Sequence, residues 1–177
     1  GRIYDKTKGK NRNPSIYYLK KKGISFIRRT KHLRNPYVNK LYREDIVSLT
    51  TQNHSLQATS FYLLLKQFAD KQNATLEYYT KSDLAEKQFF SDIRPDAYFT
   101  FETEKGKRSC FVEIDMETES RATMRRKMQK YIDYYSSKEW KTYTKSFPII
   151  ATVSLNPTRV DTILNETNVL LKENDYP

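Results

Sequence analysis

Three acidic residues carry the chemistry this chain could do. Asp96 stands in Arg94-Pro95-Asp96-Ala97-Tyr98-Phe99-Thr100-Phe101, and Glu113 and Asp115 close the run Ser109-Cys110-Phe111-Val112-Glu113-Ile114-Asp115. Read with a period of two, Ala97, Phe99 and Phe101 share one face of the first run, with Asp96, Tyr98 and Thr100 on the other. In the second run Cys110, Val112, Ile114 and Met116 share a face, opposite Phe111, Glu113 and Asp115. Pairing the two runs antiparallel brings Asp96, Glu113 and Asp115 to one side. Unpartnered carboxylates repel one another, so such a group implies a bound cation or a basic partner.

The elements that must position these acids follow from the flanking pattern. Glu102 to Arg108 is polar and contains Gly106, as a hairpin loop should. From Ser48 the pattern is helical, with Thr50, Thr51 and Asn53 as candidate N-caps. Phe61, Leu64, Leu65 and Phe68 form an apolar stripe that ends near Asn73. His54 and Ala58 extend that stripe backwards, so His54 can point to the sheet, as a packing or capping residue or as a base. Thr75–Thr80 reads as a strand, and Lys81 to Ile93 as a variable segment.

Beyond the hairpin, Thr118 or Ser120 can cap a helix that runs to about Ser137. Met124, Met128, Tyr131 and Tyr135 form its apolar stripe, with Lys127 on the rim. Lys138 to Lys145 is a polar loop holding the sole Trp. Phe147 to Val153 is apolar on both faces, as a buried internal strand is. Asn156-Pro157 opens a last helix, in which Val160, Ile163, Leu164, Val169, Leu170 and Leu171 are available for burial. The order from Ser48 is thus α-β-β-β-α-β-α. It predicts an α/β (α+β) fold: a mixed sheet with helices on both faces.

Composition bounds the function. With 177 residues the chain can bury a real core, and one cysteine excludes a disulfide framework. Two histidines and one cysteine cannot close a zinc site. No apolar run is long enough for a transmembrane helix and no signal-peptide pattern opens the chain, so a cytoplasmic, membrane-free protein is expected.

The formal charge of +11 is unevenly placed. Residues 1–50 carry 14 Lys and Arg against 3 Asp and Glu, and residues 51–177 carry 18 of each. A neutral body with a basic arm points to nucleic acid. Within the arm, Arg2–Asp5 and Ser15–Leu19 are short β-type runs around a basic tip holding Lys8, Lys10 and Arg12. They look like the wing of a winged-helix domain whose helices would precede it. Lys20, Lys21, Lys22, Arg28 and Arg29 continue the basic surface, with tyrosines interleaved. Such residues neutralise phosphates with little sequence information. The boundaries expected are a basic DNA-binding segment at 1–47 and an α/β domain at 48–177. A solvated leader is the plainer alternative for the first.

Pro95-Asp96, sixteen residues, then Glu113-Ile114-Asp115 within that element order resembles the PD-(D/E)XK nuclease-like fold. More specifically, Arg94-Pro95-Asp96-Ala97, Phe111–Asp115, Thr118-Glu119 and Lys127…Tyr131 resemble the replication-relaxation family of plasmids, conjugative elements and phages. The likeness covers roughly residues 15–140 and includes His54 and Tyr17-Tyr18-Leu19…Gly23. It implies DNA processing in replication or transfer initiation, with DNA and other replication or transfer proteins as partners.

It also implies a nicking site. Asp96 and Glu113, with Asp115 as a third ligand, would hold Mg²⁺ or Mn²⁺, which polarises a phosphoryl oxygen and acidifies a bound water. Glu119 and His54 would support the site from behind. Asp115 departs from the nuclease pattern, which has lysine there. Either Lys127 reaches back from its helix to act as the catalytic cation, or the site has lost cleavage and the fold serves as a scaffold. Relaxase chemistry through a nucleophilic tyrosine and a His-x-His metal site is disfavoured, because His32 and His54 stand alone. Tyr131, Tyr134 and Tyr135 read as core.

Overall fold

The computed structural model describes residues 2–3, 16–17, 19–29, 48–87, 90 and 92–176. Two compact units emerge, Gly1–Asn53 and His54–Pro177. In the first, β1 (Arg2–Ile3) pairs antiparallel with β2 (Ile16–Tyr17), and α1 (Lys21–Arg29) follows. The ribbon lies where two β-type runs are expected. The helix is not signalled in the sequence, because it is nine residues long, opens on lysines and contains Gly23. Ile24 is its buried anchor.

Helix α2 (Leu49–Lys71) is capped by Ser48, whose Oγ accepts the Thr51 N–H at 3.2 Å. The cap therefore falls just before Thr50, Thr51 and Asn53. At the other end Asn73 adopts φ 49°, and the Ala74 N–H reaches the Ala69 carbonyl at 2.9 Å. That six-to-one bond closes the helix where the polar Asn allows a left-handed residue.

The sheet of the second unit has strand order β3-β4-β5-β6: β3 (Thr75–Thr80), β4 (Ala97–Thr103), β5 (Gly106–Asp115) and β6 (Ile149–Ser154). The first three form an antiparallel meander and β6 joins β5 in parallel. This is a mixed α+β fold built on a four-stranded open sheet. Between β3 and β4 lies a short helix, α3 (Lys81–Lys87), in the stretch read as variable. Its start is a reciprocal cap: Asp83 Oδ2 accepts the Thr80 N–H at 2.8 Å, and Thr80 Oγ1 accepts the Asp83 N–H at 3.3 Å.

The alternation of the central hairpin is reproduced in three dimensions. Ala97 pairs with Val112 and Phe99 with Cys110, so the apolar faces of the two strands coincide. Ala97, Val112 and Ile114 form one core, against which Ala58 and Phe61 of α2 pack. Leu64 points out of that stripe, 65% exposed. The opposite face carries Tyr98 and Phe111, the latter wholly buried, beneath Met124, Met128 and Tyr131. Those three belong to α4 (Arg121–Ser137), capped by Ser120, which accepts the Thr123 N–H. The hairpin loop is only Glu104-Lys105, much shorter than the seven-residue link read from composition. Glu102 and Lys107 face each other across the strands, so opposite charges extend the ladder. Gly106 closes it at φ 123°, a conformation that side chains disfavour.

Two further expectations need correction. Among the described residues β6 is an edge strand rather than an internal one, paired only with β5, and Ile149 is 55% exposed. Its apolar pattern arises because Val153 and Ile150 pack on opposite faces of the sheet, which says nothing about strand edges. The polar loop after α4 holds a 3₁₀ turn (Glu139–Thr142) that buries Trp140, whose Nε1 donates to the Tyr135 carbonyl at 3.1 Å. Tyr135 itself sits at the rim. Helix α5 (Pro157–Glu173) begins at the expected Asn156 cap and buries Ile163 and Leu170, while Leu164 and Val169 stay exposed.

Candidate functional site

Local backbone sets Asp96 in place. Arg94 adopts φ 47° immediately before the buried Pro95, an uncomfortable conformation for a non-glycine residue that redirects the chain into β4. The Asp96 N–H then donates to the Val112 carbonyl at 3.0 Å. Because the β4–β5 ladder stops at Ala97 and Val112, the Ile114 N–H has no strand carbonyl opposite it. Asp96 Oδ2 takes that place at 3.0 Å. The same oxygen lies 3.1 Å from His54 Nε2, and Oδ1 accepts from Lys81 Nζ at 3.1 Å. Burial alone would push this carboxyl up. The Ile114 N–H, Lys81 and His54 outweigh it and hold the carboxyl below the usual value.

Glu113 points to the other face. Its Oε2 receives Lys127 Nζ at 3.0 Å and its Oε1 receives the Tyr131 hydroxyl at 2.6 Å. Burial pushes the Glu113 carboxyl up, Lys127 and Tyr131 pull it back, and nearby Asp96 adds to the push, leaving it raised. Lys127, less deeply buried, also reaches Glu119 Oε1 at 2.9 Å. Two carboxylates overcome its own desolvation and hold the ammonium above its usual range. Tyr131 is raised first by burial and then by the charge of Glu113, so it is a firm O–H donor and a poor nucleophile. It is a core residue with a polar contact.

Asp115 is held elsewhere. Arg159, in the first turn of α5, grips it with Nε on Oδ2 at 2.9 Å and Nη2 on Oδ1 at 3.3 Å. Nη2 also donates to the Glu119 carbonyl at 2.7 Å, tying the loop after β5 to α5. The Asp115 side chain has no exposed surface.

The expected three-carboxylate pocket is therefore not formed. Asp96 and Glu113 are close enough to influence each other, but Asp115 belongs to a separate pair. Asp96 lies outside the expected alternation because it precedes the strand and turns its carboxylate towards the open end of the ladder. Among the described residues no group of three or more His, Cys, Asp or Glu is placed to hold a metal ion. Each acid already has a cation: Lys81 for Asp96, Lys127 for Glu113, Arg159 for Asp115. In this arrangement the donors do not fit a resident Mg²⁺ or Mn²⁺, which asks for free oxygen ligands.

His54 does face the sheet, and Lys127 does reach Glu113. Lys81 and Arg159 had no sequence signal as partners, being 15 and 44 residues from Asp96 and Asp115. Beside His54, Lys81 and Asp96 opens a cleft of about 780 Å³, walled by Tyr62 and Tyr78. Of the basic residues, Lys20, Lys21, Lys22, Arg28 and Arg29 are exposed at the two ends of α1. Lys8, Lys10 and Arg12 lie outside the described residues.

The fold and site together define an α+β protein whose mixed sheet ends in a self-neutralised set of acids and bases. The chain matches the replication-relaxation family over residues 2–150 and belongs to that family. The family points to a role in replication or relaxation of mobile elements. No curated protein and no solved structure matches the chain. Among the described residues no helix is long and apolar enough to cross a membrane.

Proposed function

We propose that this chain is a DNA-binding protein of a plasmid or conjugative element, acting in the cytoplasm at initiation of replication or transfer. In this reading it works as a non-cleaving initiator or accessory factor. The basic segment contacts DNA, and a PD-(D/E)XK-like sheet serves as scaffold for partner replication or transfer proteins. The observation that carries the non-cleaving part is the pairing of Asp96, Glu113 and Asp115 with Lys81, Lys127 and Arg159. Carboxylates so engaged are neither free ligands nor free bases. The DNA-binding part is supported by the surplus of charge within residues 1–50 and by the exposed lysines that open α1. There the unpaired N–H groups of the helix add to the positive potential. The β1–β2 ribbon favours a wing, and the antiparallel β3-β4-β5 meander followed by α4 and a parallel β6 favours the nuclease-like scaffold, with α3 as an insertion between β3 and β4.

Band-shift titrations between 50 and 200 mM salt test the binding. Replacing Lys20, Lys21 and Lys22 with Ala should lower the salt slope by up to about 2.7, at ~0.9 per phosphate contact on duplex DNA. Asp96→Ala should leave DNA binding as it was. An unchanged slope in the triple variant removes the arm from the account.

One observation favours the cleaving reading instead. Lys127 sits 3.0 Å from Glu113, where an ammonium could stabilise charge developing on a phosphate. Nicking of supercoiled DNA in Mg²⁺ or Mn²⁺, lost in both Lys127→Met and Asp96→Ala, would establish it.

A further inference from the structure

We propose that the groove at the tip of the β4–β5 hairpin is a second nucleic-acid contact, made by the body of the protein and shaped for a single strand. The inference rests on the DNA-binding reading and extends it to a surface outside the basic arm. β6 begins at Ile149, opposite Cys110, so Gly106–Ser109 of β5 have no strand of the described residues beside them on that side. The vacated lane is a groove of about 630 Å³. Lys105, Lys107 and Arg108 line it, together with Phe101, Ser146 and Ile149.

The cations there are not equivalent. Lys107 is bound by Glu77 at 2.9 Å and Glu102 at 4.0 Å. Lys105 and Arg108 are exposed, and neither makes an ion pair with another described residue. In a body whose acidic and basic residues balance, two uncommitted cations at one concavity are a local excess that suits phosphate. The apolar wall suits bases: Phe101, Phe147 and Ile149 line it, and Ile149 is more than half exposed. A charged groove with aromatic surface is how unpaired strands are held without sequence preference.

Width decides between single and double strand. The lane is the place of one missing β-strand, about 4.8 Å from β5, too narrow for a duplex, whose two grooves alone are about 6 and 12 Å wide. An acidic peptide could also add there as a strand. Only four residues of edge are open to it, and the aromatic wall contributes nothing to backbone pairing. The groove is also separate from the acids: Ala97 and Thr103 are six residues apart along β4, about 20 Å at ~3.4 Å per residue.

The test uses the full chain and the double substitution Lys105→Ala with Arg108→Ala. Fluorescence anisotropy follows a labelled thymidine oligonucleotide and a short duplex between 50 and 200 mM salt. The expected result is a single-strand salt slope lower by about 1.4, at ~0.7 per cation, with several-fold weaker binding at low salt. Duplex binding and the urea midpoint should stay at wild-type values. Equal loss for duplex and single strand, no loss for either, or a glutamate-rich peptide competing as well as the oligonucleotide would each overturn the assignment. If the wild type binds neither nucleic acid, the DNA-binding reading fails as well. If it binds and the double variant matches it, only the groove is lost.

Discussion

Arg159→Ala removes a cation that holds a fully buried carboxylate, and the structure sets how much that should cost. Asp115 has no exposed side-chain surface, and Arg159 meets it with two nitrogens at 2.9 and 3.3 Å. Deleting one partner of a buried pair leaves an uncompensated charge and destabilises by about 3–5 kcal/mol. The Glu119 carbonyl loses its donor too, a further ~1 kcal/mol within that spread. With a urea dependence of about 2 kcal/mol/M, the midpoint should fall by roughly 1.5–2.5 M. Folded domains have only about 5–15 kcal/mol to lose, so this is a large fraction of the total. The helix cap survives, because Asn156 bonds the backbone N–H of residue 159. Trp140, the sole tryptophan, is buried in the same unit and reports unfolding by fluorescence. Replacing both partners, Asp115→Leu with Arg159→Met, should return stability to within about 1 kcal/mol of wild type, since no buried charge remains. An Arg159→Ala midpoint within about 0.3 M of wild type refutes the reasoning, since at that m-value the shift amounts to only ~0.6 kcal/mol.

Other perturbations report on the remaining pairs. Asp96→Asn should destabilise by about 1–2 kcal/mol at pH 7, chiefly through the lost charge on its hydrogen bonds. The Asp96 carboxyl is lowered in the fold, so its contribution is present above the ordinary value of 3.8 and is lost as pH falls through the folded value. Urea curves for wild type and variant should therefore converge in acid. Glu113 is raised, so the sign reverses: its contribution is complete below 4.5 and is lost as pH rises through the folded value. Wild type should accordingly decline relative to Glu113→Gln between acid and neutral pH, with Lys127 still partnered by Glu119, and a parallel pH profile would contradict this. Ser120→Ala removes the side-chain cap of α4 and should cost about 1 kcal/mol by the same unfolding assay.

Much of the fold was legible because it is local. Thr75–Thr80 is a strand with the bounds read from its residues, and the two faces of the central hairpin alternate as the sequence alternates. Ser120 and Asn156-Pro157 mark helix starts that the structure reproduces. The helix α3 was missed within the stretch read as variable: the Thr80–Asp83 cap holds it, but seven residues give too little periodicity to announce a helix. The acids were legible as residues but not as a site. Period two says which face a side chain takes within a strand; it is silent for Asp96, one residue before β4. Nor could spacing pair Asp115 with Arg159, which a helix, a 3₁₀ turn and a strand separate in the chain. The edge position of β6 was hidden for a related reason, since hydropathy records burial of faces and not the count of neighbouring strands.

The central claim is that the acids at the end of β5 are neutralised by side chains of the protein itself rather than gathered around a cation. Calorimetric titration of Mn²⁺ into the wild-type chain, with Glu113→Gln and Asp96→Asn alongside, tests it most directly. The account predicts no saturable heat in any of the three proteins, and no rise in unfolding midpoint with added metal. A saturable one-site isotherm in the wild type that vanishes in both variants would contradict it.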